Sequence, residues 1–130
     1  MFTVEQIEQA HEKVKSGADF PKYIQEIKEL GVISFETWVN DSHTEYFGKN
    51  NFRTKSKSQY DELAISANSD KENFGNRLKE HQQGKTDYYT FCKDCAKAGI
   101  EKWIVNLDTM TCIYYDKAEN AILIEQIPKL

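Results

Sequence analysis

Two stretches of this chain, 18–47 and 86–115, follow one plan in different residues. With a shift of 68 and no gap, Asp19 falls on Asp87, Tyr23 on Phe91, Ile24 on Cys92, Ile27 on Cys95, Gly31 on Gly99, Phe35 on Trp103, Val39 on Leu107 and Tyr46 on Tyr114. Identities are few, but the periods agree. Phe20, Tyr23, Ile24, Ile27 and Leu30 mark one face at helical spacing, and so do Tyr88, Phe91, Cys92, Cys95 and Ala98. Each run stops at a glycine suited to a left-handed cap and then alternates as a strand does. This predicts an α+β fold: a twisted, mainly antiparallel sheet covered by about four helices. It also predicts one domain over residues 1–130, built from two αα-plus-β-hairpin halves, 3–56 and 69–127, about a pseudo-twofold axis.

Local signals place the elements. Thr3 and Gln6 stand at capping-box spacing with Phe2 and Ile7 placed as a staple, so a first helix should run to Gly17 with Ile7, Ala10 and Val14 inside. A second helix begins near Asp19, with Pro21 in its first turn, and ends at Leu30–Gly31. A hairpin over 33–48 turns at Asp41–Ser42, with Asn40 pairing His43. A short edge strand is expected at 52–55, guarded by Arg53 and Lys55. Residues 63–67 read as another strand, or 57–63 as a helix. Ser69 and Glu72 form a second capping box, a helix spans 86–98, and strands follow at 102–107, 111–116 and 121–127.

The net charge of −4 and scattered lysines and arginines argue against nucleic acid and anionic membranes as partners, because both are polyanions. No apolar run reaches the roughly 20 residues that span a bilayer, and no secretory pattern opens the chain. Three cysteines do not form a disulfide framework, so a cytoplasmic location is expected.

Several runs together carry a family likeness: Thr3–Ile7, Gly17–Pro21, Gly84–Tyr88, Phe91–Ala96, Trp103–Leu107 and Met110–Asp116. With them the chain resembles, over nearly its whole length, the bacterial domain of unknown function 1398 family, sometimes labelled phage envelope protein. The resemblance implies a compact bacterial protein with some relatives carried on prophages, and it implies no reaction.

Two constellations could carry chemistry. Cys92-x-x-Cys95, with Cys112 a candidate neighbour, has the spacing of a dithiol or of half a zinc site. Its positions match Ile24 and Ile27, which favours small buried hydrophobes over ligands or a redox pair. The second constellation is one face of the hairpin: Glu36, Trp38, His43, Glu45 and Phe47. A histidine beside two carboxylates and two aromatics is the cast of a small-molecule site or of acid–base chemistry. No complete catalytic, metal or cofactor motif is present. The sequence therefore reads as a non-enzymatic module that binds a small ligand or a protein, or self-associates, through that face. A thiol-dependent redox enzyme or sensor using Cys92 and Cys95 is the alternative.

Overall fold

Thr3 starts the first helix as its spacing predicts: its hydroxyl accepts the Gln6 amide at 3.2 Å, and the Gln6 side chain accepts the Thr3 amide at 2.8 Å. The computed structural model describes residues 1–128. Its elements are α1 (Val4–His11), a 3-10 turn (Gly17–Asp19), α2 (Phe20–Leu30), β1 (Val32–Trp38), β2 (Thr44–Gly48), β3 (Arg53–Lys55), α3 (Lys71–Gln82), α4 (Tyr88–Lys97), β4 (Lys102–Asn106), β5 (Thr111–Tyr115) and β6 (Ala121–Gln126). The α+β class holds, with four α-helices and a six-stranded antiparallel sheet among the described residues.

Several boundaries differ from expectation for local reasons. α1 stops at His11, well before Gly17, because the Asp19 carboxylate accepts the Lys15 and Ser16 amides at 2.9 and 3.3 Å and holds that stretch out of the helix. α3 is capped by Asp70, which accepts the Asn73 amide at 3.0 Å, and not by Ser69. Residues 56–70 form neither the strand nor the helix expected within them. Their backbone is satisfied elsewhere: the Gln59 and Leu63 amides donate to Asp41 and Asn40, and the Ser66 amide donates to Ala96. α2 and α4 run out at Gly31 (φ 110°) and Gly99 (φ 81°), as the glycine signals predict.

The strand order is β3-β2-β1-β4-β5-β6. Phe35 opposes Tyr46 and Trp103 opposes Tyr114, the same pair displaced by 68. β1 and β4 meet at the centre, where Glu36 opposes Ile104. The first hairpin pairs two residues away from the expected register: Glu36 faces Glu45, not Phe47, and the Trp38 amide donates to the His43 carbonyl at 3.0 Å. A two-residue hairpin turn at Asp41–Ser42, of type I′ or II′, would need Asp41 at positive φ, whereas Ser42 (φ 60°) takes it and Asp41 does not. Since side chains alternate with period 2, a slip of two returns each residue to its own face.

The helices stand on the inner face, where Phe35, Tyr46, Val105, Cys112 and Tyr114 are buried. The outer residues Glu36, Trp38, Phe47, Ile104 and Ile113 are half-buried. α1 packs on α2 and α3 on α4, and the two pairs meet where the 3-10 turn crosses the end of α3. Gly17 allows that approach, because a Cβ there would lie 3.0 Å from both the Cβ and the carbonyl oxygen of Gln82. Among the described residues, no helix is long and apolar enough to cross a membrane.

Candidate functional site

A cleft of about 1010 Å³ opens between the two helix pairs, above the inner face of the sheet. That is at the upper end of the roughly 300–1,000 Å³ usual for small-molecule sites. Both halves build it. Phe35 and Tyr46 from β1 and β2, and Trp103 and Tyr114 from β4 and β5, form an aromatic floor. The period-2 alternation that turns these rings inward also turns Thr37 and Thr44 inward, and their hydroxyls bond each other at 2.8 Å. α1 and α2 contribute His11 and Tyr23 to one wall; α3 and α4 contribute His81 and Phe91 to the other.

The two histidines are held differently. His81 lies flat on Phe91, with ring centroids 4.4 Å apart and an interplanar angle of 11°. Its Nδ1 is 3.1 Å from the Thr86 carbonyl, an acceptor only, so Nδ1 carries the proton and Nε2 is the free nitrogen of the neutral ring. His11 stands at the open rim with its ring edge-on to Tyr23 at 5.1 Å. Desolvation lowers the pKa of both below 6.5, the charge of His81 lowers that of His11 further, and the Thr86 bond and the Asp87 and Asp94 carboxylates partly oppose the shift at His81.

A histidine depressed by folding binds its proton more readily in the unfolded chain. Its contribution is therefore complete above pH 6.5 and is lost as pH falls through that value toward the folded pKa. The melting temperature should drop between pH 7 and 5, before the carboxylates protonate. His81→Gln should flatten that slope, and an equal slope in the variant would show that His81 is not its source.

The thiol and phenols of the floor are held in their protonated forms. Burial pushes the Cys112 thiol up to about 12 and the Tyr46 phenol to about 12. Tyr114 is raised well above its ordinary value by burial, with the Cys112 and Glu125 charges adding to it. The Tyr114 hydroxyl donates to one Glu125 oxygen at 3.3 Å and the Gln82 amide donates to the other at 2.9 Å. Among the described residues, no three His, Cys, Asp or Glu side chains converge in a metal-binding group.

The sequence-predicted residues lie elsewhere. Glu36, Trp38, His43, Glu45 and Phe47 do share one face, the outer one, and none lines the cleft. His43 Nδ1 is 2.5 Å from the Asp41 carboxylate, and its ring lies parallel to Trp38 at 6.0 Å. The Trp38 ring is already covered by Lys102, whose Nζ stands 4.8 Å from it, 5.7 Å from the Tyr115 ring and 3.3 Å from Glu119.

Cys92 and Cys95 are fully buried and form no disulfide. Burial raises the pKa of both; at Cys92 the Tyr60 and Tyr88 hydroxyls oppose the rise in part. All three thiols should stay silent toward a chromogenic disulfide reagent at pH 7.5 and react only in denaturant. Fast reaction of one thiol in the native protein would mean that a sulfur reaches solvent.

No motif in the sequence marks the inner aromatics Phe35, Tyr46, Trp103 and Tyr114, or His11 and His81, as parts of one site. The available signal was the number of polar atoms on the core face, from Tyr23, Thr37, Thr44, Tyr46 and Tyr114. Residues 8–126 match the model of a family described as "Protein of unknown function (DUF1398)", which bears out the family resemblance and does not bear on the envelope label. No curated protein matches the chain.

Proposed function

The chain belongs to the DUF1398 family of proteins of unknown function, and from the cleft we propose that it is a binding module for a small, largely apolar or aromatic ligand. The observation that carries this reading is a cleft of about 1010 Å³ floored by rings from both halves of the sheet. A packed core fills such a space with side chains, so leaving it open above four aromatic residues suits occupation by another molecule. The hydroxyls of Thr37 and Thr44 and the free Nε2 of His81 supply the few polar contacts that fix a ligand's orientation.

The thiol alternative needs an exposed, acidic sulfur. Full burial of Cys92 and Cys95, with raised pKa values, weighs against it. The outer hairpin face is the weaker binding surface, because Lys102 already occupies its Trp38 ring.

Trp103 provides the test. In a Trp38→Phe background it is the sole tryptophan and lies on the cleft floor. Titration with an anilinonaphthalene dye should change its emission saturably, at one dye per chain. Thr44→Phe, which puts a ring into the floor, should abolish that change while the melting transition remains cooperative. Absence of saturable binding, or binding indifferent to Thr44→Phe, would rule the cleft out as the site.

A further inference from the structure

We propose that the ligand is an organic cation: an amine or quaternary ammonium carrying an apolar or aromatic group. This rests on the cleft being a ligand site and adds its charge. Four carboxylates line the cleft (Glu8, Glu12, Asp87 and Glu125) against two ammonium groups (Lys15 and Lys79). The two histidines do not redress the balance, since their surroundings favour the neutral ring. Glu8, Glu12 and Asp87 stand exposed at the rim, where solvent screens them, so the bias toward cations and against anions is strongest at the half-buried Glu125.

Glu125 is the most pointed of these groups. It lies on β6 opposite Cys112, half-buried beside the floor. Both its oxygens are met by neutral donors, the Tyr114 hydroxyl and the Gln82 amide. Among the described residues, no lysine, arginine or histidine forms an ion pair with it. A carboxylate accepts about four hydrogen bonds, so capacity remains for an ammonium N–H or for the charge of a quaternary nitrogen.

Aromatic faces supply the other half of cation recognition, because the negative face of a ring attracts a positive charge within about 6 Å. The chain makes this arrangement once for its own use. On the outer face Lys102 lies between Trp38 and Tyr115 with Glu119 as its counter-ion. The inner face repeats the cast with Trp103, Tyr114 and Glu125, and there no lysine is in place over either ring among the cation–ring contacts of the described residues.

The test compares three probes of similar size by calorimetry on the whole chain: phenyltrimethylammonium, its uncharged carbon isostere tert-butylbenzene, and the anion benzenesulfonate. The cation should bind about tenfold or more tightly than the isostere, and the anion more weakly than either. Glu125→Gln should erase most of that preference, about tenfold, while tert-butylbenzene binding is retained and certifies the fold. If the isostere or the anion matches the cation, the charge inference falls and the cleft stands as a ligand site. If Glu125→Gln leaves the preference intact, the assignment of Glu125 is overturned. If none of the three binds, the ligand-site reading fails and the inference with it.

Discussion

Replacing Phe74 with alanine should lower the unfolding free energy by about 3–5 kcal/mol, read as a fall in the urea midpoint with little change in slope. The ring is wholly buried on α3. Its centroid lies 4.8 Å from that of Tyr114 and 6.2 Å from that of Phe91, and both of those rings stand about 6 Å from Trp103, at 6.0 and 5.9 Å. Phe74 therefore packs α3 against the aromatic cluster of the cleft floor and wall. Its removal loses the apolar transfer term and leaves a hole that fixed aromatic neighbours cannot collapse into. Phe74→Leu, which keeps most of the volume, should cost less than half as much. A loss under about 1 kcal/mol for the alanine variant would contradict the packing described above.

Gly99→Ala should cost about 3 kcal/mol, from two causes that act together. The residue sits at φ +81°, where a Cβ crowds its own backbone. That Cβ would also lie 2.6 Å from the Asn68 carbonyl oxygen and 2.8 Å from Ser69 Cα, both main-chain atoms with no freedom to rotate away. The helix stop and the crossing of residues 68–69 are thus built on the same missing side chain. Gly75→Ala gives the opposite sign: within α3 a Cβ there meets nothing inside 4 Å, so alanine should stabilise by about 1 kcal/mol. Thermal or urea denaturation of the two variants side by side checks both. Equal effects would mean that backbone entropy, not geometry, governs Gly99.

The elements written in short-range chemistry were legible in the sequence. The Thr3–Gln6 box, the glycine stops at Gly31 and Gly99, the edge strand at Arg53–Lys55 and the three-strand meander all stand where local spacing put them. What misled was competition between local options. Asp19 drew the Lys15 and Ser16 amides away from α1, and Asp70 took the cap that Ser69 could have provided. Residues 56–70 were illegible because their partners, Asn40, Asp41 and Ala96, are distant in sequence.

The candidate site was hidden for another reason. A cleft is a property of the spacing between layers, and no residue type encodes spacing. Phe35, Tyr46, Trp103 and Tyr114 have the same periodicity whether helices close over them or stand apart. The hairpin face of Trp38 and His43 looked more distinctive because it alternates polar and aromatic residues, yet those aromatics are engaged by Lys102 and by each other.

The meeting of Gly17 with Gln82 has a mechanical consequence. The cleft's two walls belong to different halves of the chain, and the halves are joined within the sheet by the β1–β4 pairing. Where the walls touch, they touch through the one residue type that has no side chain. The aperture is therefore gauged at that end by a steric stop. A single methyl at position 17 would act as a wedge, tilting one wall against the other about the sheet and leaving the chemistry of the floor unchanged.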